Sequence, residues 1–246
     1  MKYSYSEKFR IRNYESDFKG DLKISTIFNY FQEVASNHAE KLGWGFDAML
    51  ENGTLWVLSR LQIEVKQLPK WGEEIEVLTQ PRGIKKLFAV RDYAIRNSTG
   101  EDKISGYSGW LVIDANSFKL KNPDTILGDT PWKDNPEDMK LKTEKILPIG
   151  EIINEYNREV FPNDMDVNKH TNNAHYAEWI MDSFSEQFLA ENSLKSITVI
   201  FANQTKSGDK LRITLFEAEN GKSHFVEAEN ISTAKKVFQA ELHWKL

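Results

Sequence analysis

The chain has 246 residues, 40% of them hydrophobic, with a formal net charge of −5 and no cysteine. That length suits one large domain or two of about 120 residues each; the acidic balance argues against a general nucleic-acid binder, which normally shows a basic footprint. Lack of cysteine removes disulfides, a thiolate nucleophile and cysteine-based zinc sites, and with no apolar run of about 18 residues and no apolar core in the opening stretch, the expectation is a cytoplasmic protein without a membrane partner.

After a lead-in strand, Ile24, Ile27, Phe28, Phe31, Ala35 and Leu42 fall at helical spacing and mark one apolar stripe. Period-2 patterns follow at residues 55–65, 74–79, 86–95 and 104–114, each predicting a strand. Residues 129–148 contain Pro131 and Pro136, show little periodicity and read as a linker. The second half then repeats the plan. A lead-in strand precedes the stripe Ala177, Ile180, Met181, Phe184 and Phe188, which predicts a long helix over about 172–190, and strands are predicted at 196–202, 210–217, 224–229 and 235–244. Gly72 with Glu73 and Gly208 with Asp209 punctuate the halves at matching places. A helix with one apolar stripe needs a sheet to cover it, and strands consecutive in sequence make that sheet mostly antiparallel. The predicted fold class is therefore α+β, a long helix wrapped by a curved antiparallel sheet, duplicated in tandem as residues 1–128 and 149–246.

The chemistry gathers just before the second helix, where Asp166, Asn168 and His170 alternate along the chain. In an extended segment these side chains would point the same way and converge on one reacting group. Thr171, Asn172 and Asn173 are N-cap candidates, and the amides of a helix start would polarise a carbonyl and hold the oxyanion formed on attack. Singly, each residue is an ordinary turn or cap residue; as a run they point to acid/base chemistry on a carbonyl. Aligning the halves near their helix starts sets Lys19, Asp21 and Lys23 opposite Asp166, Asn168 and His170, leaving the first half without the triplet. His38 and His175 read as packed or capped side chains, no metal-binding spacing occurs, and neither a metal nor an organic cofactor is expected.

The run Asp166, Val167, Asn168, Lys169, His170, Thr171, Asn172, Asn173 with Tyr176 resembles the signature of acyl-acyl carrier protein thioesterases of the bacterial, double-hotdog type. The first-half helix, the strand at 110–114 and the stretch to Lys121 extend the resemblance over nearly the whole length. It implies two hotdog domains, the first holding the acyl chain and the second reacting, and hydrolysis of the thioester between a fatty acyl chain and the phosphopantetheine arm of acyl carrier protein. By the same resemblance Asp166 is nucleophile or general base, assisted by Asn168 and His170. Plant members carry a Glu-Cys pair after the second helix, where this chain has Gln204 and Thr205. Glutamine is no base and threonine no thiolate, so Gln204 is left to position water. Hotdog enoyl hydratases fit less well, since their motif has a proline after the Asn and one more residue before the His. An acyl-CoA thioesterase and a catalytically silent acyl-binding module remain the alternatives. Acyl carrier proteins are acidic, so a local basic face is expected from Arg82, Lys85, Lys86 and Arg91 with Lys119 and Lys121. A homodimer is compatible with all of this.

Overall fold

The computed structural model describes residues 5–128 and 138–245. The chain divides into two compact units, Met1–Leu22 with Asn29–Thr143 and Lys23–Phe28 with Glu144–Leu246. In the first, β1 (Tyr5–Arg10), β2 (Thr54–Val65), β3 (Glu74–Lys85), β4 (Phe88–Asn97) and β5 (Asp102–Asp114) pair antiparallel in the order β1-β3-β4-β5-β2, with the short β6 (Leu120–Lys121) on β5. The helices are α1 (Ile24–Lys41), of which residues 29–41 fall in this unit, α2 (Phe46–Glu51) and α3 (Asp124–Leu127), the last two being turns the periodicity did not predict. Strand alternation buries Ile75, Val77 and Thr79 of β3 and Tyr93 and Ile95 of β4. Phe31 of α1 stacks on Tyr93 with ring centroids 4.4 Å apart. Gly106 of β5 permits that approach, because a Cβ there would lie 2.3 Å from the Phe31 ring.

Arg91, expected on a basic surface, instead reaches α1: its guanidinium donates to His38 Nδ1 at 3.1 Å and to Thr79 Oγ1 at 3.3 Å. Strand alternation accounts for this, since position 91 shares a face with the buried Tyr93 and Ile95. Burial, then the Arg91 and Lys41 charges, push His38 down from 6.5 to about 4. A histidine kept neutral by the fold makes unfolding easier in acid, because between 6.5 and about 4 the unfolded chain takes up a proton that the folded chain does not. The expected result is a urea midpoint that falls across this window more steeply in the wild type than in His38→Gln; parallel curves would contradict it.

Residues 129–137 of the expected linker lie outside the described residues. Its next stretch, 138–143, is a strap packed on the first unit. Met139 and Leu141 are buried with Val90 and Tyr107, Lys85 Nζ donates to the Met139 and Leu141 carbonyls at 3.0 Å each, and Arg60 donates to the Lys142 carbonyl at 2.7 Å.

In the second unit β7 (Glu151–Glu159), β8 (Leu194–Phe201), β9 (Lys210–Glu217), β10 (Ser223–Asn230) and β11 (Lys235–Trp244) pair antiparallel in the order β7-β9-β10-β11-β8, strand for strand the order of the first unit. The long helix predicted over 172–190 is two helices, α4 (Asn173–Met181) and α5 (Glu186–Glu191). Two serines break it: Ser183 Oγ bonds back to the Trp179 carbonyl at 3.1 Å, and Ser185 Oγ accepts from Phe188 N at 3.1 Å, capping a new start. The apolar stripe survives the break. Tyr176 packs against Trp179, Phe201 and Phe238, while Phe184 and Phe188 pack with His224 and Trp244.

Candidate active site

Between β7 and α4 the chain makes a 3-10 turn, Pro162–Asp164, and then the segment that carries the polar triplet. That segment is closed, not extended. Asp166 N donates to the His170 carbonyl at 2.8 Å and Lys169 N to the Asp166 carbonyl at 3.0 Å. Asp166 Oδ1 accepts from Asn168 N at 2.8 Å and His170 N at 3.3 Å. Lys169 takes φ +60° to complete the turn. The alternation expected of Asp166, Asn168 and His170 is therefore replaced by an Asx turn, the local bonding that competes with extended structure. Its two ends, Asp166 and His170, are brought together half-buried, with Asn168 exposed at the tip beside Val167, which is 97% exposed. Among the described residues, Asp166 Oδ2 and the side chains of Asn168 and His170 make no hydrogen bond.

Beneath the turn Asp164 is the structural anchor. It is 4% exposed; its carboxylate accepts from Phe161 N at 2.7 Å and from Arg158 at 3.3 Å, and its carbonyl accepts from Asn172 N at 2.9 Å. Arg158 in turn lies over the Trp179 ring, 5.0 Å from its centroid. His175, read from sequence as packed or capped, bonds Glu178 at 2.8 Å, and that carboxylate raises its pKa. A chain of buried hydroxyls fixes the other side: Thr171 Oγ1 lies 2.7 Å from Thr205 Oγ1, which lies 3.0 Å from the Tyr176 hydroxyl. Burial raises the Tyr176 pKa, so the group is a neutral hydroxyl. This link holds the loop after β8, with exposed Gln204 next to Thr205, against the residue following His170. Sequence reasoning missed Asp164 and the hydroxyl chain, since an isolated Asp or Thr carries no sign of its burial.

The start of α4 is less open than expected. Asn172 caps it by accepting from Ala174 N at 3.0 Å, and His175 N donates to the Asn172 carbonyl at 3.0 Å, so two amides foreseen as oxyanion donors are already bonded. Asn173 is half-buried at the first helical position.

The first unit builds the same turn from different residues. Asp17 N donates to the Asp21 carbonyl at 2.8 Å, Gly20 N donates to the Asp17 carbonyl at 2.9 Å, and Asp17 Oδ1 accepts from Lys19 N and Asp21 N at 2.9 Å each. Gly20 has φ +74° where Lys169 has +60°. Asp17, Lys19 and Asp21 thus stand opposite Asp166, Asn168 and His170, which corrects the sequence alignment by two residues. The first unit keeps the aspartate and lacks the amide and the imidazole. Its Asp21 is ion-paired with Lys70 at 2.7 Å.

Of the residues expected to meet a carrier protein, Arg82 pairs with Asp92 at 3.1 Å, Lys85 holds the strap carbonyls, and Lys86 donates to Thr143 at 2.9 Å. Lys121 pairs with Asp114 at 3.1 Å. Lys119 is exposed between the exposed Phe118 and Leu120.

The model of the acyl-ACP thioesterase N-terminal domain matches residues 2–126, and that of the acyl-ACP thioesterase C-terminal domain matches residues 135–246. The chain belongs to the acyl-ACP thioesterase family. It is 30% identical over 213 residues to a chloroplastic palmitoyl-acyl carrier protein thioesterase of Arabidopsis thaliana, covering 81% of this chain and 52% of that protein. To a chloroplastic oleoyl-acyl carrier protein thioesterase of Coriandrum sativum it is 26% identical over 223 residues, covering 84% of this chain and 60% of that protein. The chain thus spans about half to three-fifths of the length of these curated relatives. Its fold matches an acyl-ACP thioesterase of Bacteroides thetaiotaomicron with a TM-score of 0.85 at 21% identity, over 98% of both chains. A 12:0-ACP thioesterase of Umbellularia californica matches with a TM-score of 0.84 at 23% identity, over 98% of this chain and 97% of that one. The α+β, hotdog-type fold class expected from the sequence is that of these family members. Among the described residues no helix is long and apolar enough to cross a membrane, and no three His, Asp or Glu side chains gather as a metal site.

Proposed function

We propose that this chain hydrolyses the thioester of a fatty acyl-acyl carrier protein, and that the turn Asp166–His170 carries the reaction. The observation that carries the reading is the turn itself, in which a carboxylate, a side-chain amide and an imidazole share five residues and keep unbonded polar atoms toward solvent. Hydrolysis needs a group to take a proton from water as its oxygen attacks the carbonyl carbon, and a donor for the oxygen that becomes negative. Asp166 and His170 are the two proton acceptors on the turn. Asn168 Nδ2 supplies donors for the carbonyl oxygen, and exposed Gln204 orients water from the loop after β8. The C–S bond then breaks, and the thiol of the phosphopantetheine arm leaves with a proton. The second unit is the reacting domain and the first holds the acyl chain.

Lys119 is the basic residue best placed to meet an acidic carrier, since Arg82, Lys85, Lys86 and Lys121 have partners within the first unit. Lys119→Glu is expected to raise KM for acyl carrier protein thioesters and leave KM for the acyl-CoA of the same chain unchanged. Equal effects on both substrates would remove Lys119 from the docking surface. The function as a whole is tested by fatty acid release from carrier-protein and CoA thioesters.

A further inference from the structure

Two turns of the first unit lie side by side at one end of its sheet. On β5, Trp110 pairs with Leu58 of β2 and Ala89 of β4, while two residues on Val112 pairs with Trp56 of β2 and Lys121 of β6. β6 therefore takes up the edge of β5 where β4 leaves it, and the β3–β4 turn at Lys86 and Leu87 abuts Leu120 and Lys121. Three apolar side chains are held out here: Leu87 is 48% exposed, Phe118 64% and Leu120 57%. Residues 85–87 and 114–124 carry Lys85, Lys86, Lys119 and Lys121 against Asp114 and Asp124, a local excess of positive charge in a chain of net charge −5. Lys85 and Lys86 bond uncharged oxygens and Lys119 has no ion pair among the described residues, so of the four lysines Lys121 alone faces a carboxylate, that of Asp114.

The turn between β5 and β6 presents Phe118 at a cost. Its φ is +56°, a region that strains a bulky side chain and that glycine enters freely. Hydrogen bonds hold it there: Phe118 N donates to the Asp114 carbonyl and Asp114 N to the Lys119 carbonyl, each at 2.9 Å, while Asp114 Oδ1 accepts from Asn116 N at 3.1 Å and Ser117 N at 2.8 Å. An aromatic ring at this position combines backbone strain with exposed apolar surface, and a ring 64% exposed recovers neither inside the unit. We propose that Phe118, Lys119 and Leu120, with Leu87 beside them, form the surface on which the acyl carrier protein docks. This rests on the thioesterase reading above and adds an apolar half to the charge of Lys119. The apolar side chains cover an apolar patch on the carrier, and the lysines meet the carboxylates around it. Charge selects an acidic partner over a second copy of the same basic surface, since like charges would face each other. Three apolar side chains on two turns make a small contact, suited to a carrier that must leave after each turnover.

The experiment titrates holo-acyl carrier protein bearing no acyl chain into wild type, Phe118→Ser, Phe118→Gly and Leu120→Ser, at low and high salt, and so reads docking without turnover. KM for carrier-protein and CoA thioesters of one chain length, and a thermal midpoint, are measured for each. The expected result is that Phe118→Ser and Phe118→Gly weaken carrier binding by about tenfold, the scale of a truncated contact at the centre of an interface, and Leu120→Ser weakens it in the same direction. KM for the carrier thioester rises with them and KM for the CoA thioester does not, while added salt weakens binding by the wild type. Phe118→Gly does not lower the thermal midpoint, which separates docking from a role in the fold. A Phe118→Ser that binds the carrier as tightly as wild type, or that raises both KM values equally, would overturn the docking surface and leave hydrolysis standing. A wild type that binds the carrier through Phe118 and releases nothing from any thioester would support the docking surface and overturn hydrolysis. Phosphatidylglycerol vesicle binding or dimer formation that Phe118→Ser abolishes, with carrier binding unchanged, would assign these turns to a lipid surface or a second copy and overturn the proposal.

Discussion

His170→Ala is expected to lower kcat for thioester hydrolysis by at least ~10²-fold, the lower scale of a general-base contribution, and to leave the fold untouched. The second half of that expectation follows from what the side chain does not do. It makes no hydrogen bond among the described residues, and its part in closing the turn is played by its backbone N–H and carbonyl, which alanine keeps. Stability should therefore change by no more than about 0.5 kcal/mol, as for a surface substitution away from special features. Steady-state kinetics beside a urea titration checks both halves. A large stability loss, or turnover near that of wild type, would show the imidazole serving the fold and not the reaction.

Asp164→Ala is expected to do the opposite, unfolding the site from below. Its carboxylate is the partner of Arg158 and also holds Phe161 N, so its loss strands a cation and frees the 3-10 turn that leads into Asp166. Removing one partner of a buried ion pair costs about 3–5 kcal/mol, and with Arg158 31% exposed the lower end, about 3 kcal/mol, applies. Activity should fall with the loss of fold, and the remaining folded fraction should turn over with an unchanged KM if the turn reforms. Asp164→Asn should recover part of the stability, since its side-chain oxygen still accepts from Phe161 N. An Asp164→Ala as stable as wild type in urea would contradict the anchoring role.

The strands and the duplication were legible because they rest on periodicity. Alternation at 74–79 and 210–217 marked the faces that bury Ile75 and Val77 in one unit and Leu211 and Ile213 in the other. The break between α4 and α5 escaped, because the apolar stripe from Ala177 to Phe188 continues across it while Ser183 and Ser185 act through bonds to the backbone. The triplet was legible as a cluster but not as a shape: Asp166, Asn168 and His170 were expected to converge by strand alternation, whereas they are gathered by a turn that Asp166 itself closes. The same blindness set the alignment of the halves off by two, since Asp17 looks like any exposed aspartate until its two amide bonds are seen. Arg91 and Lys85 counted as surface charge for a related reason. Composition places lysine and arginine outside, and only the fold shows one guanidinium reaching His38 and one ammonium holding the carbonyls of a strap.

If the turn before α4 hydrolyses an acyl thioester, the initial rates of thiol and free fatty acid release from acyl carrier protein thioesters by wild type and His170→Ala, both shown to be folded, will register it. Wild type is expected to release equimolar thiol and fatty acid, faster from carrier-protein than from CoA substrates, and the variant to lose both products. A folded wild-type chain that binds these thioesters and releases nothing would contradict it and mark the protein as an acyl-binding module.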